Sequence, residues 1–524
     1  MILSFPIIFN CKKEWLIINA YQMFLRRISM NSTQLTISHF PTFSKFPTTF
    51  LILLPLKNSV GIGWGMKSFK FIKYFMKHFR VSSGFKLSSV FDLLHVFKLS
   101  PAFGLFSVFS ILPVIFTAVF SVGAVDFTTL NGKVLLGYQG WFNCPNDGCN
   151  RNWSSWFRGN PSPETLTVDM YPDLTEFNTS DLCPVPGFTI RGKQAYLYTA
   201  ANPNIVDRHF LWMKTYGLDG VLIQRFVVGI HARRSTGDIV LKNILKAAQN
   251  HGRAIAIEYD ITGANPETFF DILREDWKYL VKELKITSHP CYLHHNGKPV
   301  LSIWGMGLSE SRHVPRDPET AMRVVKWFKE EAPPELRVTY IGGVPSYWRT
   351  LTRDALKNPG WEKVYAYMDV IQPWTVGRYK DEASADQWRT NMIEPDLAKT
   401  KENGQLYMPV IFPGFSWSNL KKETPNRIPR NGGTFLWKQA QNARQAGATM
   451  LKIAMFDEVN EGTAVYKIAA KREDAPEQGF WLTLDADGYD LSSDWYLKLS
   501  GEITKLFHGE IKDPNFPLPL KKIK

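Results

Sequence analysis

Residues 220–260 read GVLIQRFVVGIHARRSTGDIVLKNILKAAQNHGRAIAIEYD. A short apolar run (220–226) is followed by a segment of helical period closing on Gly252, then by a second apolar run (254–260). Short β-branched and aromatic runs alternating with longer helical stretches are the signature of parallel βαβ units. The same alternation extends both ways. Strands are expected at VLLGYQG (134–140), GVLIQRF (220–226), AIAIEYD (254–260), PVLSIWG (299–305), VTYIGG (338–343), DVIQPW (369–374), YMPVIFP (407–413) and MLKIAMF (450–456). Helical segments lie between them, several ending on a glycine suited to a left-handed cap: Gly217, Gly252, Gly404 and Gly447. A further helix is expected at YWRTLTRDALKN (347–358), and LSSDWYLKLSGEITKLF (491–507) supplies the closing one.

Eight strand–helix repeats predict a single α/β domain, an eight-stranded β/α (TIM) barrel with a long first βα loop, Phe142–Pro203. A doubly wound open sheet is the alternative, but the turn after its first strand would be Gly-rich, and here it reads GYQGWFN (137–143). The division expected is a leader over 1–124, a barrel over 125–512 and a C-terminal tail over 513–524. The content of 44% hydrophobic and 14% aromatic residues is that of a globular chain.

The net charge of +14 suggests an anionic partner until its location is considered. Residues 1–124 hold 13 Lys/Arg with only Glu14 and Asp92 as acids, leaving 49 basic against 46 acidic side chains elsewhere. The body is nearly neutral, so no nucleic-acid partner is expected. The uncharged stretch AFGLFSVFSILPVIFTAVFSVGA (102–124) following basic residues describes a signal peptide with cleavage after Ala124, and hence export to the periplasm, cell surface or medium. A retained N-terminal anchor is the competing reading and would be the chain's one membrane contact. In an exported protein Cys144 and Cys149, close together in NCPNDGCN (143–150), are a candidate disulfide, although connectivity among Cys144, Cys149, Cys183 and Cys291 is open. No metal or cofactor motif is present: His289, His294 and His295 precede the fourth strand, where an Asn-Gly turn is expected. A monomer is expected.

Barrel enzymes build their sites at the carboxyl ends of the strands. Those ends carry Tyr138, Trp141, Gln224, Arg225, Glu258, Asp260, Trp304, Trp374, Trp417, Asp457 and Asn460, together with Glu458 and Glu461 in AMFDEVNEGTAV (454–465). Indole faces suit the apolar face of a sugar ring, while Gln, Arg and Asp suit its hydroxyls. Glycosidic cleavage needs two carboxyl groups across one bond, and residues three apart in a helical turn have Cβ atoms about 5 to 6 Å apart. Glu458 and Glu461 are therefore candidates for the reacting pair; the competing reading has Asp457 capping a helix. Glu258 with Asp260 is a rival pair, unless Glu258 pairs with a cation such as Arg225.

The stretch FDEVNEGTAV (456–465) resembles the FNEWHEGTQIE motif of glycoside hydrolase family 99, IAIEYD (255–260) resembles that family's HIEPY strand, and GYQGWFN its opening segment. From Val134 to Leu506 the chain is similar to bacterial secreted proteins termed glycoside hydrolase family 71/99-like, some of them labelled xylosidase or arabinosidase. The resemblance implies a β/α barrel hydrolysing an α-linked, mannan-like or related plant or microbial polysaccharide with retention. Glu458 would be the base on a 2-hydroxyl, Glu461 the acid and then base, and Glu258 a sugar-binding residue. Asp457, Val459 and Asn460 depart from the family's motif. A glycan-binding barrel of a polysaccharide-uptake system that cleaves nothing is the alternative function.

Overall fold

The computed structural model describes residues 2–3, 52–53, 125–512 and 515–523. Ile2–Leu3 pairs antiparallel with Ile52–Leu53 in a separate unit, Met1–Val108. The remainder of the 1–124 leader, with its signal-peptide or anchor reading, lies outside the described residues. Among the described residues no helix is long and apolar enough to cross a membrane.

All eight expected strands form: β1 (Val134–Tyr138), β2 (Gly220–Phe226), β3 (Ala254–Asp260), β4 (Lys298–Trp304), β5 (Thr339–Val344), β6 (Val370–Pro373), β7 in two pieces (Leu406–Tyr407 and Val410–Ile411) and β8 (Leu451–Ile453). Each pairs in parallel with its sequence neighbour, and β8 returns to β1 through Leu451 opposite Val134. The ring closes across the break in β7. Pro409 has no N–H to donate, so the first piece bonds to β6 (Met408 N to Ile371 O, 2.9 Å) and the second meets β8, with Lys452 N donating to Pro409 O at 3.0 Å. The result is the expected β/α barrel.

Around it run α1 (Pro203–Thr215), α2 (Ile230–His251), α3 (Phe269–Lys282), α4 (Pro318–Lys326), α5 (Gly360–Ala366), α6 (Glu382–Trp388), α7 (Glu394–Glu402), α8 (Thr434–Ala446) and α9 (Trp495–His508). Helix α3 shows how they attach: Phe269, Leu273, Trp277 and Leu280 recur at helical spacing and are buried, and the Trp277 indole donates to Leu336 O at 2.9 Å. Gly252 and Gly447 end α2 and α8 at φ of 60° and 103°, as their positions predict. The Asn-Gly turn also forms: His294–His295 folds back on β4 through Asn296 (φ 50°) and Gly297 (φ 75°).

Two expectations are corrected. Residues 347–358 are not helical: Asp354 takes the amides of Ser346 and Tyr347 (both 3.1 Å), Leu351 and Arg353 adopt left-handed φ near 50°, and the helix forms later, as α5. The first βα loop contains an antiparallel hairpin, Cys183–Ile190 with Lys193–Leu197. That hairpin brings Cys183 to Cys144, their Cα atoms 6.4 Å apart, and the disulfide is Cys144–Cys183, with Cys149 free and buried. The Cys144–Cys149 pairing fails because both their amides turn instead onto the Asp147 carboxylate (3.1 and 2.8 Å).

Candidate active site

The barrel interior is layered by register. Gln224 stands opposite Glu258, and Glu258 opposite Ser302, on adjacent strands. Since alternate residues share a face, these side chains all point inward. Glu258 is wholly buried there, its carboxylate accepting from Lys452 Nζ, Gln224 Nε2 and Ser302 Oγ (2.7 Å), while Lys452 also reaches Gln372 Oε1 at 3.2 Å. A carboxylate and an ammonium withdrawn from water persist only when paired and hydrogen-bonded, and here both conditions are met.

One layer higher, Phe226, Asp260 and Trp304 stand in register at the mouth. Trp141 stacks on Phe226 with ring centres 5.4 Å apart, and Trp374 meets Trp304 edge to face at 5.2 Å. His313, buried against Trp304 at 5.4 Å, is held neutral by burial, its pKa lowered to about 4. Burial raises the Asp260 carboxyl to about 6, with the charge of Glu258 adding to the shift and Thr262 opposing it. Trp417, packed on Phe415 at 5.0 Å, turns its indole toward Glu461.

Glu458 and Glu461 enter this mouth from a turn beyond β8 that is fixed on several sides. Glu458 O accepts the amides of Thr463 and Ala464, and Glu461 O accepts Ser416 N at 2.8 Å. The buried Arg430 guanidinium donates to the carbonyls of Gly462 and Ala464, both at 2.7 Å, over the ring of Tyr496. From the first loop, Asp169 N donates to Val459 O, while the Asp169 carboxylate accepts Ser416 Oγ (2.5 Å) and the amides of Ser418 and Asn419. The long loop therefore clamps the segments after β7 and β8 together.

Burial is the largest influence on both glutamates. It drives Glu458 well above the carboxylate range, reinforced by the charge of Glu461, against the hydrogen bond from Gln139. Glu461 is raised to about 7 by burial, against the Trp417 indole and the more distant charges of Arg312 and Lys421. Among the described residues no salt bridge reaches either carboxylate, nor is any group of three or more His, Cys, Asp or Glu placed to hold a metal ion. Two mutually repelling carboxyl groups without a counter-ion, both held above the ordinary carboxylate range, are suited to move protons.

The expected site residues divide accordingly. Glu458, Glu461, Asp260, Trp304, Trp374, Trp417 and Trp141 are brought together at the mouth, and Gln224 lies just beneath it. Five leave the list of sugar contacts. Tyr138 faces outward, fully buried, its hydroxyl 3.0 Å from His209 Nδ1. Arg225 also points outward, locked to Asp276 (2.5 Å) and Asp238 (3.4 Å) behind β2, so it is not the partner of Glu258. Glu258 is closed off below the mouth. Asp457 caps no helix: its two oxygens accept the amides of Gln139 (2.7 Å) and Gly140 (2.9 Å), tying β8 to β1. Asn460 donates to Ser155 O at 2.8 Å and anchors the first loop. Sequence reasoning missed Lys452, whose signal was a lone charge inside the apolar run 450–456, and Arg430 and Asp169, which carried none.

No family model and no curated protein matches the chain. Its structure is similar to the GH99 endo-α-mannosidase from Bacteroides thetaiotaomicron: 15% identity, 73% of this chain and 99% of that one covered, TM-score 0.52. Another structure of a GH99 endo-α-mannosidase from that organism, in complex with bis-tris propane, gives 16% identity, the same coverage and a TM-score of 0.53. A protein described only as glycoside hydrolase-like matches at 17% identity, 67% and 98% coverage and a TM-score of 0.43. The chain thus shares the β/α-barrel fold of the two GH99 structures.

Proposed function

We propose that the protein is an exported, retaining glycoside hydrolase acting on an α-linked, mannan-like glycan. The observation that carries this reading is the pair Glu458, buried, and Glu461, half-buried, beyond β8 without a counter-ion, with Trp417 beside Glu461 and the Asp260 carboxyl of the mouth near both. The resemblance to family 99 supplies the roles. Glu458 removes the proton of a 2-hydroxyl whose oxygen attacks C1, while Glu461 gives its proton to the departing glycosidic oxygen. Water then opens the anhydro-sugar, Glu461 taking a proton from it and Glu458 returning one to O2. One glycosidic bond and one water are consumed, and both carboxyl groups are restored. The first step requires Glu458 ionised and Glu461 protonated. Export is supported by the Cys144–Cys183 disulfide, which persists in oxidising compartments.

The test is reducing-sugar release from a panel of α-mannans, α-glucans, xylans and arabinans, with Glu458→Gln and Glu461→Gln alongside. Cleavage of an α-linked member, lost in both variants, is expected. Binding without turnover by the intact protein would overturn the enzyme reading in favour of a glycan-binding barrel.

A further inference from the structure

A cavity of about 320 Å³ opens beside the catalytic mouth, between the first βα loop and the start of α2. It lies next to the proposed chemistry: Gln139, whose side chain is near Glu458, lines it, as do Gln224 and the stacked Trp141 and Phe226, and it runs on behind β2 along Ile223, Arg225 and Val240. The Trp141 indole N–H is buried without a partner. Its outer wall carries arginines. The exposed Arg233 sits where α2 departs from helical geometry (φ −137°, ψ 16°), its side chain lying over Gly229. Arg151 reaches in half-buried from the first loop; burial and then the repulsion of Arg233 lower its pKa. Arg234, also on the wall, is already engaged, 3.7 Å from Asp276 and stacked over Tyr279.

Arg151 and Arg233 are not engaged in that way: among the described residues neither forms a salt bridge. The nearby Asp147 carboxylate is bound by Asn143, Thr199 and the amides of Cys144 and Cys149. Two guanidinium groups that repel each other at the rim of a substrate cleft gain most from an anion between them, because a planar fork matches a carboxylate or sulfate with charge-assisted hydrogen bonds.

Resting on the glycosidase reading, we propose that Arg151 and Arg233 form a subsite for an anionic substituent, a uronic-acid carboxylate or a sulfate ester, on the sugar next to the scissile bond. Strand order places this subsite on the β1–β2 side of Glu458 and Glu461 and the bare indoles of Trp304, Trp374 and Trp417 on the other side. The glycan lies across the pair with its charged unit toward Arg151.

Binding is measured by calorimetry in the Glu458→Gln background, so absence of turnover does not obscure it. The probes are α-mannotriose, the same triose with a terminal glucuronic acid, and the triose carrying a 6-O-sulfate. At least one charged probe binds about 10- to 100-fold more tightly than the neutral one, and the advantage shrinks with added salt. Arg151→Gln with Arg233→Gln abolishes that margin, while the paired Arg→Lys variant retains part of it and shows that the fold is kept. The charged probe preferred identifies the substituent. Equal binding of all three, or a margin surviving the double Gln variant, overturns the proposal.

Discussion

Two layers of carboxylates stand one above the other in the same barrel, and they have opposite fates. In the lower, Glu258 has an ammonium, an amide and a hydroxyl, and nothing of it is exposed. In the upper, Glu458 and Glu461 have only the neighbouring Gln139 side chain and Trp417 indole, and Glu458 has the charge of Glu461 to resist. Both places are withdrawn from water, but only in the lower layer does a cation stand against the carboxylate. On the proposed function, the difference is that a carboxylate near a strand end is structural or reactive according to what neutralises it.

The sharpest way to break this comparison is to remove the upper carboxylates. Glu461→Gln is expected to lower kcat by about 10²- to 10⁴-fold while leaving the circular dichroism spectrum unchanged. In the lower layer the loss is of stability instead. Lys452→Met strands the Glu258 charge and costs about 3–5 kcal/mol in denaturant unfolding, and adding Glu258→Leu recovers most of it. Cys144→Ser releases the first βα loop, closed by a disulfide of sequence separation 39. It costs about 2–4 kcal/mol, read as a lower thermal midpoint.

The smallest effect carries the most specific sign. The folded protein holds the Glu461 proton up to about pH 7, whereas an unfolded glutamate releases it near 4.5. Between those values the folded state binds more protons, so stability falls as pH rises through the window. Glu461→Gln escapes that loss. Its melting temperature should match wild type below pH 4.5 and exceed it increasingly up to pH 7, then level off.

The barrel was legible because hydrophobic period and glycine caps are local, and all eight strands were placed from them. Which parity of each strand faces inward was not. Tyr138 and Gln139, or Arg225 and Gln224, are interchangeable until ring closure fixes the register, which turns Tyr138 and Arg225 outward. The Lys452–Glu258 pair spans the barrel from β8 to β3, so only closure reveals it. The cysteine pairing depended on the hairpin at Cys183–Leu197, hidden in a loop rich in prolines. The proximity of Glu458 and Glu461 is legible because their spacing is local, whereas Asp169 and Arg430, which hold their turn, act from more than two hundred and about thirty residues away.

The central claim, that the unneutralised upper pair reacts and the neutralised lower carboxylate does not, is tested most directly by turnover per folded molecule. Glu458→Gln, Glu461→Gln and Glu258→Gln would be compared on a glycan that the wild type cleaves, with folded fractions taken from unfolding curves. The expected result is near-complete loss in the first two, and a less stable Glu258→Gln protein whose folded molecules still turn over. Loss of turnover in folded Glu258→Gln, with activity kept in the other two, would contradict it.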